Sequence, residues 1–251
     1  MSGMVLKLLG AAPAGLASRP LLLLGPAGSG RSALLFRAAL VGAAASHARV
    51  LFLAPRPLER LPGGGATATG AIQRIHFLYP PTQRDLFQLV ASLHETSSGT
   101  PSLIVLDGLE EYLDRCPGPH VAAQLVALLL DTANYFSHKL NTEPAGCQLL
   151  VSMRFPGEAG EKTEQLSAIE RYFSAQCWLH PDAERSGGSD SKLVIAHLSQ
   201  PGTADQEWLV RFDPQGDMKI SPLLRKCEND HGSALENDSA EDHPIVPGAH
   251  S

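Results

Sequence analysis

One segment near the start of the chain has the residue types and spacing of a phosphate-binding loop. It reads Gly25-Pro26-Ala27-Gly28-Ser29-Gly30-Arg31-Ser32 and fits the pattern G-x-x-x-x-G-K-[ST] at every defined position except the lysine, which is Arg31 here. Glycines let the backbone curl so that successive N–H groups converge on a phosphate, at the positive end of the following helix. Because Ser32 would offer its hydroxyl to Mg²⁺, the sequence predicts a site for a nucleotide with its metal.

A carboxylate that could complete this site follows an apolar strand farther along the chain. Residues 103–106 are all apolar, and Asp107 comes directly after them. The carboxyl edge of a parallel sheet is a position from which such a side chain can hold Mg²⁺ through water. Any buried strand can end in Asp, so the assignment depends on the glycine loop that precedes it. Together the two segments predict Ser32 and Asp107 as metal-binding residues.

Arg31 is the departure from the motif with the largest chemical consequence. A lysine ammonium is a compact point charge that fits against the β- and γ-phosphates, whereas a guanidinium is broader and less easily placed. Arg31 keeps the positive charge, so we expect nucleotide binding with slower hydrolysis. The alternative interpretation is a glycine-rich turn that binds nothing.

The order of apolar and turn-forming segments predicts the fold that positions these residues. Apolar strands are predicted at 21–24, 50–53, 75–79, 103–106 and 148–153. Helices are predicted at 32–45, from Thr82 through 93, from 121 through 136 and at 164–172, with a patternless loop at 62–70. Further strands are predicted at 177–179, 192–198 and 207–212. This order predicts an α/β fold, with helices on both faces of a mainly parallel sheet and antiparallel strands at its C-terminal edge.

Charge is distributed unevenly along the chain, whose net charge is −6. Residues 1–84 carry nine basic residues and one acid, whereas residues 85–226 carry eleven basic and nineteen acidic residues. Residues 227–251 add six acids and no Lys or Arg. A basic first part favours contact with phosphate or nucleic acid, and ordinary surface arginines are the alternative.

The two ends of the chain differ in composition from its middle. We expect a flexible N-terminus over residues 1–19 (a targeting peptide is the alternative), a folded core over 20–224, and an acidic disordered tail over 225–251. The longest apolar runs fall far short of the roughly 20 residues that span a bilayer, so no membrane segment is predicted. Four widely spaced cysteines fit a reducing compartment, and the histidines lack the spacing of zinc ligands.

With these motifs in place, residues 20–220 resemble the ATPase core of the RecA-type recombinases. The resemblance rests on the glycine loop, on the strand that ends at Asp107, and on the run Trp208-Leu209-Val210-Arg211-Phe212-Asp213-Pro214-Gln215-Gly216-Asp217. The runs 106–113 and 172–179 resemble more narrowly a divergent group of recombinase paralogues, in which the ATPase associates with a SWIM-type zinc-finger protein in a Shu-like complex. The resemblance implies ATP and Mg²⁺ as ligands, binding of single-stranded DNA, and support of recombinase filaments in homologous recombination. It also implies recombinase and its paralogues as partners, and a nuclear location.

Two catalytic parts of the family pattern are altered in this chain. Recombinases place a catalytic Glu just after the second strand to orient the attacking water, and Arg56 stands at roughly that place here. Glu59 is the nearby acid, and Glu110 and Glu111 are further candidates beyond Asp107. The polar sensor near the end of the fifth strand is also not evident, because Ser152-Met153-Arg154 stand there. We therefore expect a slow ATPase or a nucleotide-gated binder.

The resemblance implies that DNA contacts lie on the core itself. The family's helical DNA-binding domain precedes the glycine loop, which begins here at residue 25. Any one of the candidate basic residues could equally be a solvated surface group. The candidates are Arg56, Arg60, Arg74, Arg84, Arg154 and Lys162.

Three functional hypotheses follow from the sequence. The leading one is a recombinase-paralogue ATPase that acts within a complex on single-stranded DNA. The second is a non-catalytic scaffold subunit with the same fold, which Arg31 and Arg56 favour. The third, a small nucleotide or metabolite kinase, is disfavoured by the absence of an evident arginine-bearing lid and by the β-rich C-terminal part.

Overall fold

A computed structural model describes the chain over residues 19–45, 49–58, 69–96, 99–114, 118–140, 146–155, 164–182, 191–215 and 217–223. Within these ranges nine strands form one sheet. The strands are β1 (Leu21–Gly25), β2 (Arg49–Leu53), β3 (Ile75–Leu78), β4 (Pro101–Leu106), β5 (Gln148–Arg154), β6 (Ala175–Pro181), β7 (Lys192–Ser199), β8 (Gln206–Phe212) and β9 (Met218–Pro222). The helices are α1 (Arg31–Ala45), α2 (Thr69–Ile72), α3 (Gln83–Thr96), α4 (Leu109–Leu113), α5 (Pro119–Lys139) and α6 (Glu164–Glu170).

The strand order brings the carboxyl ends of several strands together. The order across the sheet is β3-β2-β4-β5-β1-β6-β7-β8-β9. Neighbours from β3 to β6 are parallel, and β7, β8 and β9 are added antiparallel beyond β6. Because parallel strands point the same way, the residues after β1, β2, β4 and β5 meet at one edge of the sheet.

Apolar side chains cover both faces of the parallel strands. In β1, Leu21 and Leu23 pack on the face covered by α1, while Leu22 and Leu24 pack on the face covered by α3 and α5. All four leucines are buried, which explains why these strands read as continuous apolar runs. The RecA-like α/β fold class predicted above, with helices on both faces and antiparallel strands at the C-terminal edge, is confirmed.

The local signals for α3 agree with the structure. The Asp85 N–H donates to Thr82 Oγ1 at 3.2 Å, so Thr82 caps the helix as its position predicted. Leu86, Val90 and Leu93 are buried along one face, as the helical spacing requires.

Three short elements were not predicted from the sequence. These are α2, which begins at Thr69 within the loop predicted at 62–70, and the later elements α4 and β9. Helix α4 has five residues and follows Gly108, whose φ is 78°. A periodic pattern needs a longer segment to be visible, so sequence reasoning could not separate α4 from a loop.

Residues 1–18 of the predicted N-terminal segment 1–19, and the whole predicted tail 225–251, lie outside the described residues. Among the helices described here, none has both the length and the apolar character to cross a bilayer.

Candidate functional site

The glycine loop joins β1 to α1 at the carboxyl edge of the sheet. Gly28 and Gly30 have φ values of 73° and 90°, in the left-handed region that glycine adopts most easily. The Ser29 N–H donates to the Pro26 carbonyl at 3.2 Å and closes the turn. The Leu34 N–H then donates to the Gly30 carbonyl at 3.0 Å and begins α1. The chain thus forms the strand, loop and helix start that a phosphate site of this kind requires.

Two buried polar atoms of the loop have no hydrogen-bond partner among the described residues. They are Ser29 Oγ and Arg31 Nη1. A buried polar group without a partner costs about 1–3 kcal/mol, so such atoms call for a ligand. Both groups can donate, and phosphate oxygens accept. The loop's donors therefore fit a phosphate anion.

The Glu110 side chain of α4 contacts both the start of α1, at Arg31, and the end of β5, at Arg154. Arg31 Nη2 lies 3.1 Å from Glu110 Oε1, and the two side chains are 13% and 11% exposed. Glu110 Oε2 accepts the Arg154 N–H at 2.8 Å, and Arg154 Nε lies 4.0 Å from Oε1. The carboxylate predicted as a catalytic candidate is thus engaged in a nearly buried ion pair, and its catalytic role stays a prediction.

Asp107 lies at the carboxyl end of β4, where Ser152 of β5 orients it. The Asp107 N–H donates to the Leu53 carbonyl at 2.8 Å. Ser152 Oγ donates to Asp107 Oδ1 at 2.6 Å and accepts the Gly108 N–H at 3.0 Å. The described part of the chain gives Asp107 Oδ2 no partner, so this oxygen can accept a metal-bound water. Sequence analysis did not assign Ser152, although the pairing of Leu106 with Val151 places it beside Asp107.

Tyr112 fixes α4 against the segment that follows β3. Its hydroxyl donates to the Pro80 carbonyl at 2.9 Å, and its side chain is buried. Burial raises the pKa of Tyr112 well above its ordinary value, and the negative charges of Glu111 and Asp107 raise this pKa further. The phenol therefore stays protonated and keeps its hydrogen bond at any physiological pH.

The structure brings three of the six predicted DNA-binding residues together. Arg56, Arg84 and Arg154 line one cavity of about 590 Å³ at the carboxyl edge, along with Glu111 and Tyr112. Arg56, whose side chain is 75% exposed, forms an ion pair with Glu111.

The other predicted residues lie elsewhere. Arg74 precedes β3 at the opposite edge of the sheet, where its Nε donates to the Ala43 carbonyl at 2.7 Å. The structure therefore does not group Arg74 with the three arginines of the cavity. Glu59, Arg60 and Lys162 lie outside the described residues.

Two side chains from the antiparallel strands lie against the glycine loop. Phe212 of β8 packs on Gly30, where a Cβ would overlap its ring. Lys192 of β7 donates from Nζ to the Gly28 carbonyl. Lys192 and Phe212 are direct cross-strand partners, so one position of the β7–β8 pair supplies both. Phe212 belongs to the run that carried the family resemblance, whereas no motif marked Lys192.

Comparison with known proteins gives two close relatives. The chain is 46% identical over 211 residues to a human protein named ATPase SWSAP1, covering 82% of this chain and 90% of the human one. It is 45% identical over 218 residues to the mouse protein of the same name, covering 85% of this chain and 77% of the mouse one. A scan against protein-family models finds no match.

Proposed function

Since the chain belongs to the SWSAP1 ATPase family, we propose that it binds ATP with Mg²⁺ at residues 25–32 and hydrolyses the nucleotide slowly. One observation carries the proposal. The loop presents two buried atoms, Ser29 Oγ and Arg31 Nη1, that have no partner in the described part of the chain, and they lie at the start of α1 on the sheet edge that also carries Asp107. Both relatives are named as ATPases.

Each residue of the site has a separate role in this proposal. The loop N–H groups and the Arg31 guanidinium bind the phosphates. Ser32 and Asp107 hold the metal, whose charge would stabilise the negative charge that develops during phosphoryl transfer. Ser152 keeps the Asp107 carboxylate oriented through its 2.6 Å hydrogen bond. Turnover is slow because Arg56 follows β2, where the family places a catalytic Glu, and because Glu110 is paired with Arg31.

Single-stranded DNA is the proposed activator of this ATPase. Its support is the cavity that Arg56, Arg84 and Arg154 share at the same edge of the sheet. Arg154 and Arg31 both contact Glu110, so a phosphate drawn to Arg154 would act on a carboxylate that also holds the loop arginine. Arginine side chains are suited to such phosphate contacts because their donors form a planar fork.

The cellular role proposed here follows from the family resemblance. The protein would support assembly of recombinase filaments during homologous recombination in the nucleus. Its partners would be a SWIM-type zinc-finger protein together with recombinase and its paralogues. Isolation of the protein from cells, followed by identification of what accompanies it, tests this role, and absence of all these partners would contradict it.

The ATPase proposal is tested by nucleotide binding and turnover of the purified full chain. We expect binding of a fluorescent ATP analogue, loss of it in Ser32→Ala, and loss of turnover in Asp107→Ala. Asp131→Ala is the matched control, because Asp131 is an exposed aspartate of α5 away from the loop. Failure of the wild-type chain to bind the analogue at millimolar concentration would contradict the proposal.

The DNA step has its own measurement. If the three arginines of the cavity contact phosphates, the logarithm of the affinity for single-stranded DNA falls with the logarithm of salt concentration, with a slope of about −0.7 per phosphate. Three contacts therefore give a slope near −2, and Arg154→Ala should reduce the magnitude of this slope by about 0.7, the value for one phosphate. An affinity that does not vary with salt would remove DNA from the proposal.

A non-catalytic scaffold is the second candidate function. The Arg31–Glu110 ion pair favours it, because the charge expected at the phosphates is already balanced by a carboxylate 3.1 Å away. The scaffold predicts nucleotide binding without turnover, both with and without single-stranded DNA. DNA-stimulated turnover that Asp107→Ala abolishes would exclude it.

A further inference from the structure

We propose that Lys192 of β7 supplies to the bound phosphates the ammonium group that the glycine loop lacks at position 31. The proposal rests on the proposed function, since it names a residue that completes that site. It assigns a phosphate-binding role to an antiparallel strand far from the loop in sequence.

The position of the Lys192 side chain is the first support. Its Nζ donates to the carbonyl of Gly28, the central glycine of the loop. A Cβ placed on Gly28 would lie 3.5 Å from this nitrogen, so the ammonium is in contact distance of the loop. The side chain reaches this place across 164 residues of sequence, from the first residue of β7.

The charges around the loop give the second support. Arg31, the loop's own cation, is 3.1 Å from the Glu110 carboxylate, which balances its charge. Within the described residues, Lys192 instead donates to a neutral carbonyl and forms no ion pair. Among the described residues, no carboxylate pairs with the Lys192 ammonium, so this cation beside the loop is able to bind an incoming anion. A hydrogen bond from an ammonium to a phosphate oxygen is stronger than one to a neutral carbonyl, so exchange of partners is favourable.

The strand pairing gives the third support, because it holds Lys192 in place. Lys192 pairs directly with Phe212, whose ring packs on Gly30. The backbone from which the lysine projects is therefore fixed against the loop by an apolar contact. The four-carbon stem of a lysine is flexible, so the ammonium can move from the carbonyl to a phosphate without movement of β7.

The test compares the affinity of the full-length chain for a fluorescent ATP analogue across matched variants. Lys192→Met keeps the length of the stem and removes the charge, and we expect it to weaken binding about tenfold or more, in line with loss of one charge-assisted hydrogen bond. Lys219→Met is the control, because Lys219 is an exposed lysine of β9 in the same antiparallel part of the sheet. We expect the control to bind like the wild type, and adenosine to bind equally to all three proteins.

A second pair of variants tests the substitution of one cation for another. Arg31→Lys returns a lysine to the loop, so Lys192→Met should cost clearly less affinity in that background than in the wild type. Equal costs in both backgrounds would overturn the proposal, because the two cations would then act independently. Urea unfolding of each variant checks its fold, and Lys192→Gln takes the place of Lys192→Met if the latter is unstable.

The possible failures are distinguishable. If the wild type binds the analogue and Lys192→Met binds it equally well, the role of Lys192 is wrong and the proposed function stands. If Lys192→Met and Lys219→Met weaken binding equally, the effect is one of overall charge and the proposal is overturned. If the wild type itself does not bind at millimolar concentration, both are overturned.

Discussion

Replacement of Glu110 by alanine tests the ion pair at the base of the glycine loop. In Glu110→Ala the Arg31 guanidinium loses the carboxylate at 3.1 Å, and the Arg154 N–H loses its acceptor at 2.8 Å. The Arg31 guanidinium and the Arg154 N–H both remain in the variant, and the guanidinium is nearly buried. The variant therefore measures the cost of a buried cation without an anion.

The expected magnitude follows from the burial of the pair. Removal of one partner of a buried ion pair costs about 3–5 kcal/mol. The Arg31 and Glu110 side chains are 13% and 11% exposed, so water partly reaches the guanidinium and the lower end of that range applies. The Arg154 N–H loses its acceptor as well, in a contact that is only partly buried. We expect a loss of about 3 kcal/mol in the free energy of unfolding.

Urea unfolding followed by circular dichroism at pH 7 gives this free energy. The neighbouring Glu111→Ala is the matched control, because Glu111 pairs with Arg56, whose side chain is 75% exposed. Exposed pairs contribute about 0–1 kcal/mol, so the control should lose no more than that. Addition of Arg31→Met to Glu110→Ala removes the unpaired cation, and the double variant should lose less than the sum of the single losses.

ATP adds an internal check to the same experiment. A bound triphosphate would supply the missing anion to Arg31, so saturating ATP should reduce the loss caused by Glu110→Ala. Equal losses for Glu110→Ala and Glu111→Ala without nucleotide would refute the assignment of a buried, energetically coupled pair.

Three further predictions concern the metal ligand, the loop cation and the buried thiols. Ser152→Ala removes the donor to Asp107, and we expect it to lower the affinity for the Mg²⁺–ATP complex about tenfold while leaving the affinity for metal-free ATP unchanged, consistent with loss of an outer-shell contact; an equal change in both affinities would contradict this. Arg31→Lys should raise the ATP turnover number, because an ammonium fits the phosphates better, and an unchanged or lower rate would show that Arg31 already serves well. Burial raises the pKa of Cys147 and of Cys177 to about 12, whereas an unfolded thiol ionises near 9.0. The free energy of unfolding is therefore unaffected by these thiols below pH 9 and falls as the pH rises from 9 towards 12; urea titrations at pH 8 and 10 measure this, and the double replacement of both cysteines by alanine should remove it.

The sequence alone predicted the parts of the site that depend on local pattern. The glycine loop carries its own turn and helix start, so the residue pattern was enough to assign Gly28 and Gly30 a backbone role, which their positive φ values match. Asp107 could be placed because a fully apolar strand and its direction determine where the next residue lies. The cap at Thr82 likewise depends on residues three apart.

The rest of the site depends on distances between segments that no local pattern encodes. Glu110 lies on a five-residue helix, and its partner Arg31 is 79 residues away in the chain. Lys192 lies beside the loop because the register of β7 and β8 sets it opposite Phe212. The turn residues in the sequence do not determine this register. Arg74 was grouped with the other arginines by charge, and only the strand direction places it at the opposite edge of the sheet.

The central position of β1 has a consequence for how the protein is synthesised. Leu21 at the start of this strand pairs with Leu150 on one side and with Ala175 on the other. During synthesis β1 therefore has neither neighbour until the residues of β5 and then β6 have left the ribosome. The lysine and the aromatic ring that cover the loop emerge later still, at positions 192 and 212. Fragments that end before β7 would therefore lack both of the side chains that contact the loop.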